Sequence, residues 1–327
     1  MNQLFGRRGL GAEDDLEPRF TQVAHTDEQN QVSLLWHPQG FNYPALVGRA
    51  LTNAERGDLP NIRMPVRLIG VDTPETNATT EAQAQKIDEQ FLELAQWIRK
   101  GKVKLTRTFA DFVLPRLEAG HAAFLQMRNA KEAAVFFDSI TKERLCLPSG
   151  RRRELFIRAG EEPFDYGNKL LVYLSPRYND KELRSMTRKE RATFNLDYIR
   201  AGWAAPFIIY PNIPGEYDMP LLIEAVTEAI EAERGIWRDH LRLLPYEYRL
   251  LTLLYDVTKE IIGGANLSAE EQFGFRSRYC VDMRTLVIHS YDGYGAIPPQ
   301  YRLWVWRRHL RKAISDLNLK PSPNLVV

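Results

Sequence analysis

Arg67, Asp72 and Glu75 are the residues of this chain best suited to chemistry, and they share one short stretch, Val66-Arg-Leu-Ile-Gly-Val-Asp-Thr-Pro-Glu75. An apolar run carrying one arginine breaks at Gly70 and ends in an acidic turn. Such a run reads as a buried strand that delivers a cation and two carboxylates to one rim. Arginine offers a planar, two-pronged match to phosphate. Carboxylates suit a hard cation, which polarises phosphate and offsets the charge of the transition state. The combination fits metal-assisted phosphate chemistry. The six histidines show no ligand spacing, and no serine, cysteine or histidine constellation points to covalent catalysis.

The elements that must position these residues follow from pattern. Phe20 to Ala24 and Val32 to Trp36 are β-rich runs around a turn at Asp27-Glu28-Gln29-Asn30, which predicts a hairpin. Residues 37–63 are rich in Pro, Gly and Asn and read as a long excursion, and Met64 to Val71 reads as the third strand. Thr80 with Gln83 has capping-box spacing and opens a helix with Ile87, Phe91, Ala95 and Ile98 on one face, stopped by Gly101. Val103 to Thr108 alternates as a half-buried strand should. Residues 109–160 read as an insertion holding a helix near Ala130 to Phe137 and the basic run Arg151-Arg-Arg153. Tyr166-Gly167-Asn168 reads as a turn into a strand at Leu170 to Leu174.

Thr187 with Glu190 predicts a capped helix running to Arg200 and closed by Gly202. Another helix covers Leu221 to Glu233, ahead of Gly235-Ile-Trp237. The order β-β-β-α-β-(insertion)-β-α-α is the sequence form of an α+β fold, mainly β, built on an OB-type five-stranded barrel with packed helices. Beyond Trp237 the pattern predicts a small α-rich region, with helices over Pro245 to Ile262 and from Tyr301 through Leu317. The expected organisation is a mobile charged arm at 1–18, a barrel domain at 19–237 with insertions near 37–63 and 109–160, and an α-rich domain at 238–327.

Composition narrows the setting. The chain has 327 residues, two cysteines and a formal net charge of +2. Cys146 and Cys280 form no disulfide framework, which favours a reducing, cytoplasmic location. No apolar run spans a bilayer, and the first residues lack a signal-peptide core, so neither membrane insertion nor secretion is expected. So weak a net charge leaves any polyanion contact to local clustering, such as Arg302, Arg307, Arg308, Arg311 and Lys312 beside Trp304 and Trp306.

Residues 20–237 resemble the staphylococcal-nuclease (thermonuclease) family in four blocks in the family's order. These are Val66 to Glu75, Tyr166-Gly167 with Leu-Leu-Val-Tyr, Phe194 to Ala204, and the Ala/Glu-rich helix ending in Gly235-Ile-Trp237. The resemblance implies a calcium-dependent phosphodiesterase acting on single-stranded or frayed DNA and RNA. It assigns Arg67 to the phosphoryl oxygens and Glu75 to the attacking water. Asp72 and the Thr73 carbonyl would hold Ca²⁺ or another divalent cation.

Two family features are altered. The Asp-Gly-Asp turn that supplies the other metal aspartate is Asp27-Glu28-Gln29-Asn30 here, which leaves Asp27 or Glu28 as the candidate ligand. The family's second arginine falls on Asn168 or Lys169, depending on alignment. Lys169 keeps the charge but loses the bidentate fork. Tyr166 and Tyr210 are the candidate substrate-facing aromatics, with Asn168 beside them. Two functions follow: a metal-assisted nuclease, or a module whose catalysis has decayed and which binds nucleic acid, or a protein partner through its C-terminal region.

Overall fold

The computed structural model describes residues 50–56, 59–165, 167, 169–323 and 325. The predicted arm and the hairpin at 20–36 lie outside the described residues. The chain divides into two units, one reaching to Pro65 and including Phe164–Lys169, the other comprising Val66–Pro163 and Leu170–Val327. In the first unit β1 (Ala50–Arg56) pairs antiparallel with β2 (Leu59–Arg63), so the expected excursion at 37–63 contains a hairpin.

The second unit carries the motif. Its apolar run is two strands: β3 (Val66–Leu68) and β4 (Gly70–Asp72). Gly70 has φ +74°, a left-handed conformation that costs glycine little, and there the chain passes from one sheet to another. β3 pairs parallel with β6 (Leu170–Pro176), which is flanked on its other side by β5 (Leu155–Phe164). β4 pairs antiparallel with β7 (Ala205–Ile209). A six-stranded mixed sheet continues through β10 (Arg302–Trp306), β8 (Arg278–Asp282) and β9 (Val287–His289) to β11 (Lys320–Pro321). The fold is therefore α+β. Among the described residues the strands form open sheets and no closed barrel.

Helices pack around this framework. α1 (Glu81–Arg99) starts at Thr80 with the expected capping box. The strand expected at Val103 to Thr108 is absent. Thr106 caps α2 (Arg107–Glu118) by accepting from the Phe109 amide, and Phe109, Val113 and Leu117 bury one helical face. α3 (Ala122–Leu145) fills most of the expected insertion and contacts α1. Its N-terminus is closed by Asp88, whose carboxylate accepts from the Ala123 and Phe124 amides. A short α4 (Asp180–Ser185) ends before Thr187, and of the helix expected from Thr187 to Arg200 only Phe194–Arg200 is helical, as α5. Thr187 and Glu190 make their reciprocal bonds, but Thr193 is the cap that starts α5.

α6 (Asp218–Glu231) and α7 (Pro245–Ile262) fall where periodicity predicts, and α8 (Ala269–Phe273) is short. The helix expected to begin at Tyr301 does not. Residues 302–306 are β10, and only Leu310–Leu317 is helical, as α9. β10 lies between β8 and β7 with Arg302 through Val305 all buried, so its apolar character comes from sheet burial. The expected separate α-rich domain at 238–327 is replaced by a region that supplies β8 to β11 to the sheet holding β4 and β7.

Two of the family-like blocks meet at paired glycines. The Ile236 amide donates to the Gly202 carbonyl at 2.8 Å, and both glycines have positive φ. A Cβ on Gly235 would sit 2.2 Å from the Gly202 oxygen, whereas one on Gly150, also at positive φ, would meet nothing within 4 Å. Gly235→Ala is expected to cost about 2–5 kcal/mol, combining left-handed strain with overpacking. Gly150→Ala should cost only about 1–2 kcal/mol from the backbone conformation. Urea unfolding of the two variants checks the difference.

Candidate active site

The acidic turn is fixed from three sides. Asn195 on α5 is buried; its amide nitrogen donates to the carbonyls of Ile69 (2.8 Å) and Val172 (3.1 Å), and its oxygen accepts from the Leu174 amide. The Ile69 amide also donates to the Val172 carbonyl, so the β3–β4 junction is pinned to β6. On α3, Gln126 accepts from the Glu75 amide at 2.9 Å and donates to the Leu243 carbonyl at 2.7 Å. These bonds hold the backbone from Ile69 to Glu75, so Asp72 and Glu75 reach the same rim.

Both carboxylates converge on Arg249, a residue of α7. Its Nη1 and Nη2 donate to the two Asp72 oxygens at 3.0 and 2.8 Å, a bidentate pair, and Nη1 also donates to Glu75. Two acids on one rim repel unless a cation lies between them, and here the cation is a guanidinium. Arg249 is placed by a buried anchor two residues earlier on its helix. Glu247 accepts from Arg302 of β10 at 2.8 Å, and its other oxygen accepts from the Leu244 amide. Arg302 also donates to the Tyr246 hydroxyl and the Ile297 carbonyl. Removing one member of so buried a pair leaves a costly lone charge.

Arg67 lies on β3, exposed, and its charge reaches Glu75. Burial raises the Glu75 pKa above the usual glutamate value, against the opposing pull of Arg249. A partly buried glutamate with a raised pKa is better suited to taking up a proton than an ordinary one. Asp72 and Glu75 thus share one arginine, and the charge of Arg67 reaches Glu75. The structure adds Arg249, which no pattern in the sequence singled out. Its only signal was a charged position on an otherwise amphipathic helix.

The remaining candidates divide. Lys169 belongs to the other compact unit, where its amide donates to the Asp165 side chain in a tight turn. Asp27, Tyr166 and Asn168 lie outside the described residues. Tyr210 is buried, donates its hydroxyl to Asp316, and accepts from Lys312 at 3.1 Å, an arrangement that ties the end of β7 to α9. Of the basic C-terminal cluster, Arg302 and Trp304 are core, while Arg307, Arg308, Arg311 and Lys312 are exposed.

The donor set suits a hard divalent ion: the Asp72 and Glu75 carboxylates flank the Thr73 carbonyl, all oxygen. Among the described residues no group of three or more His, Cys, Asp or Glu side chains forms a metal cluster. An ion here would use two carboxylates and complete its shell with water and substrate oxygens, as Mg²⁺ commonly does. It would compete with Arg249 for Asp72. The chain matches no protein-family model and no curated protein.

The Arg249 contact predicts a pH-dependent stability effect. Because burial raises the folded-state pKa of Glu75, the folded protein favours the neutral carboxyl. Its ionisation therefore takes stability away as pH rises above the ordinary value. Arg249→Gln removes the main opposing charge. The variant is expected to lose about 3 kcal/mol at pH 8 and less at pH 5, because the raised pKa moves Glu75 towards its neutral form as pH falls. Urea unfolding at the two pH values reads this out; an equal loss at both would show that Glu75 ionisation is not involved.

Proposed function

We propose that this chain is a thermonuclease-like phosphodiesterase that hydrolyses nucleic-acid phosphodiester bonds with metal assistance. The observation that carries the reading is the convergence of Asp72 and Glu75 on Arg249, with Arg67 close enough to act on Glu75. The barrel-like part of the sequence leaves its second arginine in doubt, and Arg249 answers that need from α7. Arg67 and Arg249 bind and neutralise the phosphoryl oxygens, and Glu75 orients water and takes its proton. Asp72 and the Thr73 carbonyl hold Ca²⁺ or another divalent cation, with Asp27 as the further candidate ligand. The ion, when bound, polarises the phosphate and offsets its growing negative charge. Tyr166, Asn168 and Lys169 are proposed substrate contacts, on single-stranded DNA or RNA.

The finer fold belongs to the same reading: an OB-type five-stranded barrel with packed helices. So does a cytoplasmic setting, supported by two free cysteines, one exposed and one buried. Among the described residues no helix is long and apolar enough to cross a membrane.

A second reading is favoured by one observation. Arg249 occupies both oxygens of Asp72, the carboxylate a metal would use. If that pair persists, the chain is a binding module for nucleic acid, or for a protein partner through its C-terminal region, with no cleavage.

Cleavage of a fluorescent single-stranded oligonucleotide with Ca²⁺, Mg²⁺ or EDTA separates the two. The expected result is metal-dependent cleavage, with Glu75→Gln and Arg249→Gln each slower by ~10²–10³ in kcat, the usual cost of losing a group that stabilises transition-state charge. Oligonucleotide binding without cleavage under any metal establishes the second reading.

A further inference from the structure

Arg278, at the start of β8, makes no side-chain hydrogen bond or ion pair among the described residues, and of the acids only the charge of Asp72, already bonded to Arg249, reaches it. Its guanidinium is packed on aromatic rings instead, 5.3 Å from the centroid of Phe207 and 5.5 Å from those of Trp304 and Trp306. Arg249 borders the same Phe207 ring at 5.8 Å. The two arginines therefore flank one aromatic side chain, and they feel each other. Burial, followed by repulsion from Arg249, lowers the Arg278 pKa to about 10.

Arg249 is bonded to both Asp72 and Glu75; Arg278 has the ring faces and, without a bond, the charge of an Asp72 that Arg249 already holds. Ring faces offset the loss of hydration of a guanidinium without supplying acceptors for its N–H groups. An anion at this place would supply them. A planar guanidinium calls for an oxyanion it can fork. Both arginines remain partly exposed, as does Trp306, so solvent reaches this edge of the sheet. A cation beside a partly exposed indole is the composition that single-stranded nucleic-acid sites use, phosphate on the charge and a base on the ring.

We propose that Arg278 and Trp306 form a phosphodiester subsite for single-stranded nucleic acid, adjoining the Asp72–Glu75–Arg249 cluster and holding a phosphate next to the one that is cleaved. The choice of a nucleic-acid phosphodiester as ligand rests on the phosphodiesterase reading above. The subsite lies in the part of the chain beyond the family resemblance, and gives that region a role in substrate positioning.

Fluorescence anisotropy of a labelled single-stranded 8-mer, in EDTA and across a salt series, tests it with the full chain. Arg278→Gln is expected to weaken binding ~10-fold and to lower the slope of log K against log salt by about 0.7, the value of one lost phosphate contact on a single strand. Arg278→Lys should keep the slope but bind a few-fold weaker, because it keeps the charge and loses the fork. If Arg278→Gln does not fold, the lysine variant and competition by inorganic phosphate carry the test. Phosphate should displace the 8-mer from the wild type more readily than from Arg278→Lys. Equal affinity and slope in all proteins, or no 8-mer binding by the wild type, overturns the proposal. Binding that depends on Arg278 without any cleavage would keep the subsite and overturn the phosphodiesterase reading. Cleavage indifferent to Arg278 would do the reverse.

Discussion

Two carboxylates three residues apart, facing one half-buried rim, repel each other unless a cation lies between them. That constraint explains much of the rest of the unit. The cation is Arg249, and an arginine can serve there only if its helix is held at the right height. The buried Glu247–Arg302 pair does this, and it needs β10 to present Arg302. β10 in turn pairs with β7, the strand that also pairs with β4, which ends in Asp72. The circuit closes on itself: acid, arginine, helix, ion pair, strand, sheet, acid. A chain ending near Trp237 would keep the acids and lose their counter-charge.

The second constraint is the kink at Ile69 and Gly70. A straight strand through Arg67 and Asp72 would place both residues in one sheet. The left-handed glycine sends β3 and β4 to different sheets, and Asn195 satisfies the backbone groups left at the break. Asn195 lies in the block that starts α5, and α5 ends at Gly202, against which Gly235 packs. Three blocks that are separate in sequence thus converge on one junction. Their joint presence is better explained by this packing than by catalysis, so the motif can persist as architecture whatever happens to the chemistry.

What was legible in the sequence divides along the same line. Arg67, Asp72 and Glu75 could be read because local pattern places them: an apolar strand, a glycine break and an acidic turn are all short-range signals. The Thr80 cap, α6 and α7 were legible for the same reason. Arg249 was not, because its role depends on a contact 177 residues away in sequence. The strand β10 was misread because a central, fully buried strand shows no alternation, and its residues also satisfy a helical spacing. Val103 to Thr108 alternated by coincidence, while the Thr106 cap and the spacing of Phe109, Val113 and Leu117 decided for helix. The separate C-terminal domain was expected because composition changes after Trp237; sheet pairing across that point leaves no such trace in sequence.

Arg249 also frames the choice between enzyme and binding module in physical terms. A guanidinium between two carboxylates gives one positive charge and directed N–H bonds. A divalent ion gives twice the charge, no directionality and open positions for water and phosphate. The two cannot both take the oxygens of Asp72. On the phosphodiesterase reading, Asp72 would hold the ion and Arg249 would turn to the incoming phosphate. Every N–H that Arg249 gives up to Asp72 is one it can offer to a phosphoryl oxygen, and phosphate matches the same fork. The exchange is closer to balance when substrate and ion arrive together, since the phosphate then compensates the charge that the ion adds. On the phosphodiesterase reading the Asp72–Arg249 pair would be the resting form of the site, and the contact that competes with a metal would keep Arg249 in place until substrate arrives.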